Sequence, residues 1–154
     1  MVIDSSALVA IIGGEPKASA MLGVIEVDPI RWVSAATLLE ASIVLHSLYG
    51  TDAVDDFDTF IARIGAEIID FDEEQARIAR DAFNRFGRGR HAAALNFGQC
   101  FVYALAKSRH EPLLFKGSDF SANGYHCGAG RLTDVKTVLS LEDTAAPGGD
   151  LSGL

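Results

Sequence analysis

Along this chain the apolar positions follow two different rhythms. Short, largely apolar runs at Met1–Asp4, Ile30–Val33, Glu67–Phe71 and Leu113–Phe115 are too brief for helices and read as strands. Between them, apolar residues recur three and four apart, as in Val54, Phe57, Phe60, Ile61 and Ile64, the stripe of a helix packed on a core. Local signals set the boundaries. A helix after Asp4 stops at Gly13-Gly14, and Glu15-Pro16 opens a second with proline in its first turn. Ser34 is expected to cap an apolar helix that fades near Tyr49-Gly50, and Thr51-Asp52 start the next. Asp72-Glu73-Glu74 place acid at the positive end of a helix reaching Phe86, which Gly87 stops. A loop, Arg88-Gly89-Arg90-His91, leads to a helix over Phe97–Arg109.

Strand and helix thus alternate, which predicts an α/β fold with a parallel sheet covered by helices on both faces. After Asp119 the rhythm breaks. Residues 122–132 form a glycine-rich stretch, a last strand is expected at Val135–Leu139, and residues 141–154 read as a disordered tail. The expectation is one domain over residues 1–140.

Composition adds limits. A chain of 154 residues with 49% hydrophobic residues can bury a proper core. No apolar run reaches the ~20 residues that span a bilayer, and no basic segment precedes an apolar core at the N-terminus, so a cytoplasmic protein is expected. Cys100 and Cys127 have neither disulfide-framework nor zinc-site spacing and read as free thiols. The net charge of −8 argues against nucleic-acid binding by general attraction. It leaves room for acids concentrated in one pocket, with a local basic loop supplying the phosphate contacts.

Four polar residues stand out against their apolar surroundings. Asp4 closes the first strand, where open α/β sheets hold their ligands, and it reads equally well as the N-cap of the next helix. Glu40 shares a helix face with Ala36, Ile43, Val44 and Ser47, so its carboxylate is either solvated at the stripe's edge or paired with a cation. Gln99 sits among Val102, Tyr103 and Ala106, as a ligand or as a hydrogen-bonded core amide. Asp119 follows the fourth strand by four residues, as a site carboxylate or a turn residue. Together they make an oxygen-only donor set that suits Mg²⁺ or Mn²⁺ better than zinc. Arg85, Arg88, Arg90, His91 and Lys116 are candidate phosphate contacts, or else cations at helix ends. A phosphatase using Asp4 as nucleophile is disfavoured, because Ser6 stands where that chemistry wants a second aspartate.

The segments Met1–Leu8, Ser34–Ala41, Gly87–His91, Ala94–Lys107 and Glu111–Phe120 resemble, in order, the VapC-type toxins of the PIN-domain family, the ribonuclease halves of toxin–antitoxin pairs. The resemblance implies a three-layer α/β/α domain around a central parallel sheet. It implies a Mg²⁺- or Mn²⁺-dependent endoribonuclease acting on RNA, often tRNA, with Asp4, Glu40 and Asp119 as catalytic and metal-binding acids. Gln99 falls where the family carries another metal-binding aspartate, and residues 122–132 look inserted. Arg88, Arg90 and Lys116 become RNA contacts. A VapB-type antitoxin and a homodimer through the helices around residues 35–65 are the implied partners. Gln99 opens a second reading, a weak or inactive pseudo-nuclease that still holds its antitoxin.

Overall fold

The computed structural model describes residues 1–91 and 94–116 and the backbone of residues 140–141. Five strands form one parallel sheet: β1 (Val2–Ile3), β2 (Trp32–Ser34), β3 (Glu67–Ile69), β4 (Leu113–Lys116) and β5 (Ser140–Leu141), in the order β3-β2-β1-β4-β5. Val2 pairs with both Trp32 and Leu113, which puts β1 at the centre. β1 and most of β4 are apolar because both faces of the sheet are covered there.

Six helices connect the described strands: α1 (Ser5–Ile12), α2 (Ala18–Val27), α3 (Ala35–Tyr49), α4 (Thr51–Arg63), α5 (Glu73–Phe86) and α6 (Phe97–Arg109). Two apolar cores result. On one face Ala79, Ala82 and Phe86 of α5 and Val102, Leu105 and Ala106 of α6 pack with Val2, Leu113 and Phe115. On the other, Leu8 of α1, Met21 and Ile25 of α2, Leu45 of α3 and Phe57 and Phe60 of α4 pack with Ile3, Val33 and Leu114. Alternate residues of β1 and β4 therefore point to opposite cores, as the pleat requires. Burying a side chain such as Phe57 contributes about 1.5–3 kcal/mol.

The three-layer α/β/α arrangement is the expected one, with local corrections. The first strand ends at Ile3 rather than Asp4, because Asp4 turns out as the N-cap of α1. The second helix begins at Ala18, not at Glu15-Pro16. Glu15 instead forms an ion pair with Lys116, and its carbonyl accepts a turn bond from the amide of Ala18 at 2.9 Å. Ser34 precedes α3, but its hydroxyl makes no capping bond. The expected strand at 135–139, the stretch 122–132, Asp119, Cys127 and residues 142–154 lie outside the described residues. Among those described, no helix is long and apolar enough to cross a membrane.

Candidate functional site

The sheet order reverses at its centre: β2 and β3 lie to one side of β1, while β4 and β5 lie to the other. In open α/β sheets, ligands usually bind beyond the C-terminal ends of the strands at such a reversal. Asp4 sits at that point. Its amide donates to the carbonyl of Leu114 at 2.9 Å, and the residue is only 4% exposed.

Ser6 fixes the Asp4 carboxylate. Oδ2 accepts from the Ser6 amide at 3.1 Å and from the Ser6 hydroxyl at 2.5 Å. The same hydroxyl accepts from the Lys116 amide at 3.0 Å, so one serine ties Asp4 and the end of β4 together. Burial pushes the Asp4 carboxyl above its ordinary value; the bonds from Ser6 pull it back, and the charge on Glu40 pushes it up again. Asp4 is therefore the cap of α1 and, at the same time, a buried carboxylate on which the charge of a second acid acts.

Glu40 reaches this place from α3. Its Oε2 is buried with no hydrogen-bond partner, and the hydroxyls of Ser34 and Thr37 at the start of the same helix are likewise buried and unpartnered. Its carboxylate lies over Gly98 in the first turn of α6: a Cβ on that glycine would stand 2.1 Å from Oε1 and 2.6 Å from Cδ and Oε2. Two carboxylates and a helix N-terminus thus converge.

The first turn of α6 is itself well fixed. Leu95 bridges to Gly87, with its amide donating to Phe86 at 2.9 Å, and this anchors the incoming chain. Asn96 is the N-cap. Its Oδ1 accepts from the Gln99 amide and the Gln99 Oε1 accepts from the Asn96 amide, both at 2.8 Å, which makes a capping box. Gln99 is therefore half-buried and engaged at the helix end, rather than a core amide among Val102, Tyr103 and Ala106. It stands one residue from the glycine that receives Glu40.

The candidate phosphate contacts are placed differently. Lys116 is ion-paired with Glu15. Arg88 and Arg90 are exposed, with Arg90 donating to Asn84 at 2.9 Å and lying 5.3 Å over the ring of Phe83. Asp119, the remaining candidate acid, lies outside the described residues.

Among the described residues no three His, Cys, Asp or Glu side chains gather as a metal cage. Asp4 and Glu40 nevertheless fit a hard divalent ion. They are oxygen donors, they bring excess negative charge into a buried place, and one oxygen is left without a partner. Two residues of this site were not singled out from sequence. Ser6 entered only as the residue that disfavours a phosphatase, although Asp4-Ser5-Ser6 signalled a hydroxyl two residues from the acid. Gly98 carried a signal too, since glycine inside a helix is unfavourable unless something approaches closely.

The comparisons with known proteins agree with one another. The model of the PIN domain matches residues 1–124. A protein of Mycolicibacterium smegmatis named Ribonuclease VapC is 45% identical over 138 residues, covering 90% of this chain and 99% of its own. The crystal structure of Mycobacterium tuberculosis VapC20, described as a sarcin–ricin-loop-cleaving toxin, superposes with a TM-score of 0.66 at 16% identity, covering 80% of this chain and 94% of that one. A toxin–antitoxin complex from Klebsiella pneumoniae gives a TM-score of 0.57 at 16% identity, over 91% of this chain and 98% of the matched one.

Proposed function

Because this chain belongs to the PIN-domain family, and within it to the VapC proteins, we propose that it is the toxin of a type II toxin–antitoxin system, an endoribonuclease that hydrolyses RNA phosphodiester bonds with Mg²⁺ or Mn²⁺ bound. What carries this reading is the buried Asp4 at the switch point of the sheet together with Glu40, whose Oε2 is buried and unpartnered. A relative of near-equal length at 45% identity is a ribonuclease by name, which supports the same chemistry.

Asp4 and Glu40 would hold the ion, with Asp119 as a further acid from the chain after β4 and Gln99 at the edge. When bound, the ion supplies positive charge against the scissile phosphate and makes water a competent nucleophile near neutral pH. Asp4, oriented by Ser6, fixes where that charge sits. Glu40, whose buried Oε2 has no partner, or Asp119 would accept a proton from the attacking water. Arg88 and Arg90 contact RNA phosphates on the exposed loop after α5, and Lys116, held by Glu15, contributes less than they do.

The partners follow from the same reading. A VapB-type antitoxin covers the acidic groove with a basic segment. A second copy of the chain packs on α3, where Leu39 and Ile43 are 62% and 57% exposed, and the complex works in the cytoplasm.

Gln99 favours a second reading. Its amide oxygen is spent on the Asn96 amide and brings no charge, so a folded protein that binds antitoxin but cleaves RNA weakly is the alternative. The deciding experiment measures cleavage of labelled tRNA and of a sarcin–ricin-loop hairpin with Mg²⁺, with Mn²⁺ and with EDTA, wild type beside Asp4→Asn. The nuclease reading expects metal-dependent cleavage lost in Asp4→Asn. Cleavage that survives EDTA or Asp4→Asn would remove the site from the reaction, and no cleavage by either protein selects the pseudo-nuclease.

A further inference from the structure

We propose that Gly98 is a positioning residue for the acidic site: by lacking a side chain it forms the floor on which the Glu40 carboxylate rests beside Asp4. The inference rests on the reading of Glu40 as a cation-holding carboxylate. It adds a residue that no motif of acids contains.

Glycine in the first turn of a helix is a poor choice on propensity alone, since alanine would make α6 more stable. Gly98 also has no need of the left-handed backbone region, because it continues a regular α6 from the Asn96 cap. Backbone conformation therefore does not explain it. Space does. Every atom that an added Cβ would meet most closely belongs to Glu40, at 2.1 Å from Oε1 and 2.6 Å from both Cδ and Oε2.

Those atoms are the far end of a flexible side chain. A methyl group at position 98 would therefore be accommodated by swinging Glu40 aside rather than by moving the backbone. The cost would fall on where the carboxylate sits and not on the fold. The Oε2 of Glu40 is buried without a partner, so a displaced Glu40 would leave a bound cation one donor short. The capping box between Asn96 and Gln99 holds the turn rigid, so the floor cannot follow the carboxylate.

The test uses the full chain and two readouts besides cleavage: Mn²⁺ affinity by calorimetry, and the thermal midpoint in EDTA. Gly98→Ala is expected to weaken Mn²⁺ binding about tenfold or more, in the range seen when a ligand's support is removed. Its midpoint in EDTA should equal or exceed that of wild type. In a Glu40→Ala background the same substitution should cost no further affinity. Gly98→Ala combined with Glu40→Asp, whose shorter side chain clears the methyl, should recover part of the loss. Wild-type affinity in Gly98→Ala would overturn the proposal while leaving the nuclease reading intact. So would an equal further loss in the Glu40→Ala background. A fallen midpoint with lost helix signal would overturn it by making Gly98 a packing residue. No Mn²⁺ binding by wild type would remove both this proposal and the metal reading beneath it.

Discussion

Gln99→Asp should make the protein less stable than wild type without a divalent ion, and a bound ion should return much of that loss. Aspartate is a methylene shorter than glutamine and cannot reach back to the Asn96 amide, so the 2.8 Å bond closing the capping box is lost, at about 0.5–1.5 kcal/mol. Asn96 still receives the amide of residue 99, and a carboxylate in the first turn regains about 0.3–1 kcal/mol from the helix dipole. These two nearly cancel. The larger effect is a third negative charge near Asp4 and Glu40, since like charges interact by about 4 kcal/mol at ~4 Å and half that at twice the distance, for an effective dielectric of ~20. The net expectation in EDTA is a loss of about 2–4 kcal/mol, or a fall in midpoint of roughly 4–16 °C for a domain of this size. The same charge attracts a dication, so Mn²⁺ affinity should rise about 10–100-fold. Mn²⁺ at a hundred times its dissociation constant then returns about 2.7 kcal/mol. Cleavage of RNA should rise by about two orders of magnitude or more. Thermal melts of both proteins in EDTA and in a Mn²⁺ series, with cleavage assayed on the same samples, check all three. Equal midpoints in EDTA together with equal Mn²⁺ shifts would mean that residue 99 does not face the acidic pair, and the reasoning fails.

Other consequences are simpler. Ser6→Ala removes a donor to the Asp4 carboxylate and the acceptor of the Lys116 amide, and should cost about 2–4 kcal/mol in urea denaturation while Ser6→Thr costs little; a loss below about 0.5 kcal/mol would show that Ser6 does not hold the site. Asp4 has a carboxyl raised above its ordinary 3.8, so the native state keeps a proton that the unfolded chain has released between that value and the raised one; stability should fall as pH rises through this window and stay lower above it. Asp4→Asn, measured in EDTA, should therefore be more stable than wild type at pH 7, by about 0.5–2 kcal/mol, and lose that advantage below the ordinary carboxyl range; a difference independent of pH would contradict the burial of a charge. Replacing Arg88 and Arg90 together by alanine should weaken single-stranded RNA binding and flatten the slope of log K against log salt by about 1.4, and an unchanged slope excludes them from the interface.

Much of this was legible in the chain because it is local. The bounds of α6, Phe97–Arg109, follow from a capping residue at one end and His110-Glu111-Pro112 at the other. The capping box was legible as well, since Asn96 followed three residues later by Gln99 is its pattern, although the apolar neighbours of Gln99 fit a core amide equally. The start of α2 was not legible. Glu15 is drawn to Lys116, far along the chain, and no local rule sees that pair. The floor under Glu40 is of the same kind: an unfavourable glycine was visible in α6, while the carboxylate that requires it comes from α3.

Asp4 shows most sharply why a structural role does not displace a functional one. Its side chain caps α1 through the Ser6 amide, and asparagine caps a helix as well as aspartate does. If capping were the whole of its role, an amide would serve without the penalty of a carboxylate that is 4% exposed and stands near a second acid. Ser6 offsets part of that penalty with two donors, yet burial and Glu40 still hold the carboxyl above its ordinary value. Nor does Glu40 find a partner for its own buried oxygen within the described chain. A buried carboxylate held near a second acid is unfavourable for folding and favourable for holding a dication, whose charge offsets both acids at once. The cap thus supplies the rigidity and the charge supplies the chemistry. Asp4→Asn separates them: it should leave α1 in place, raise stability at neutral pH, and remove the cation that the proposed reaction requires.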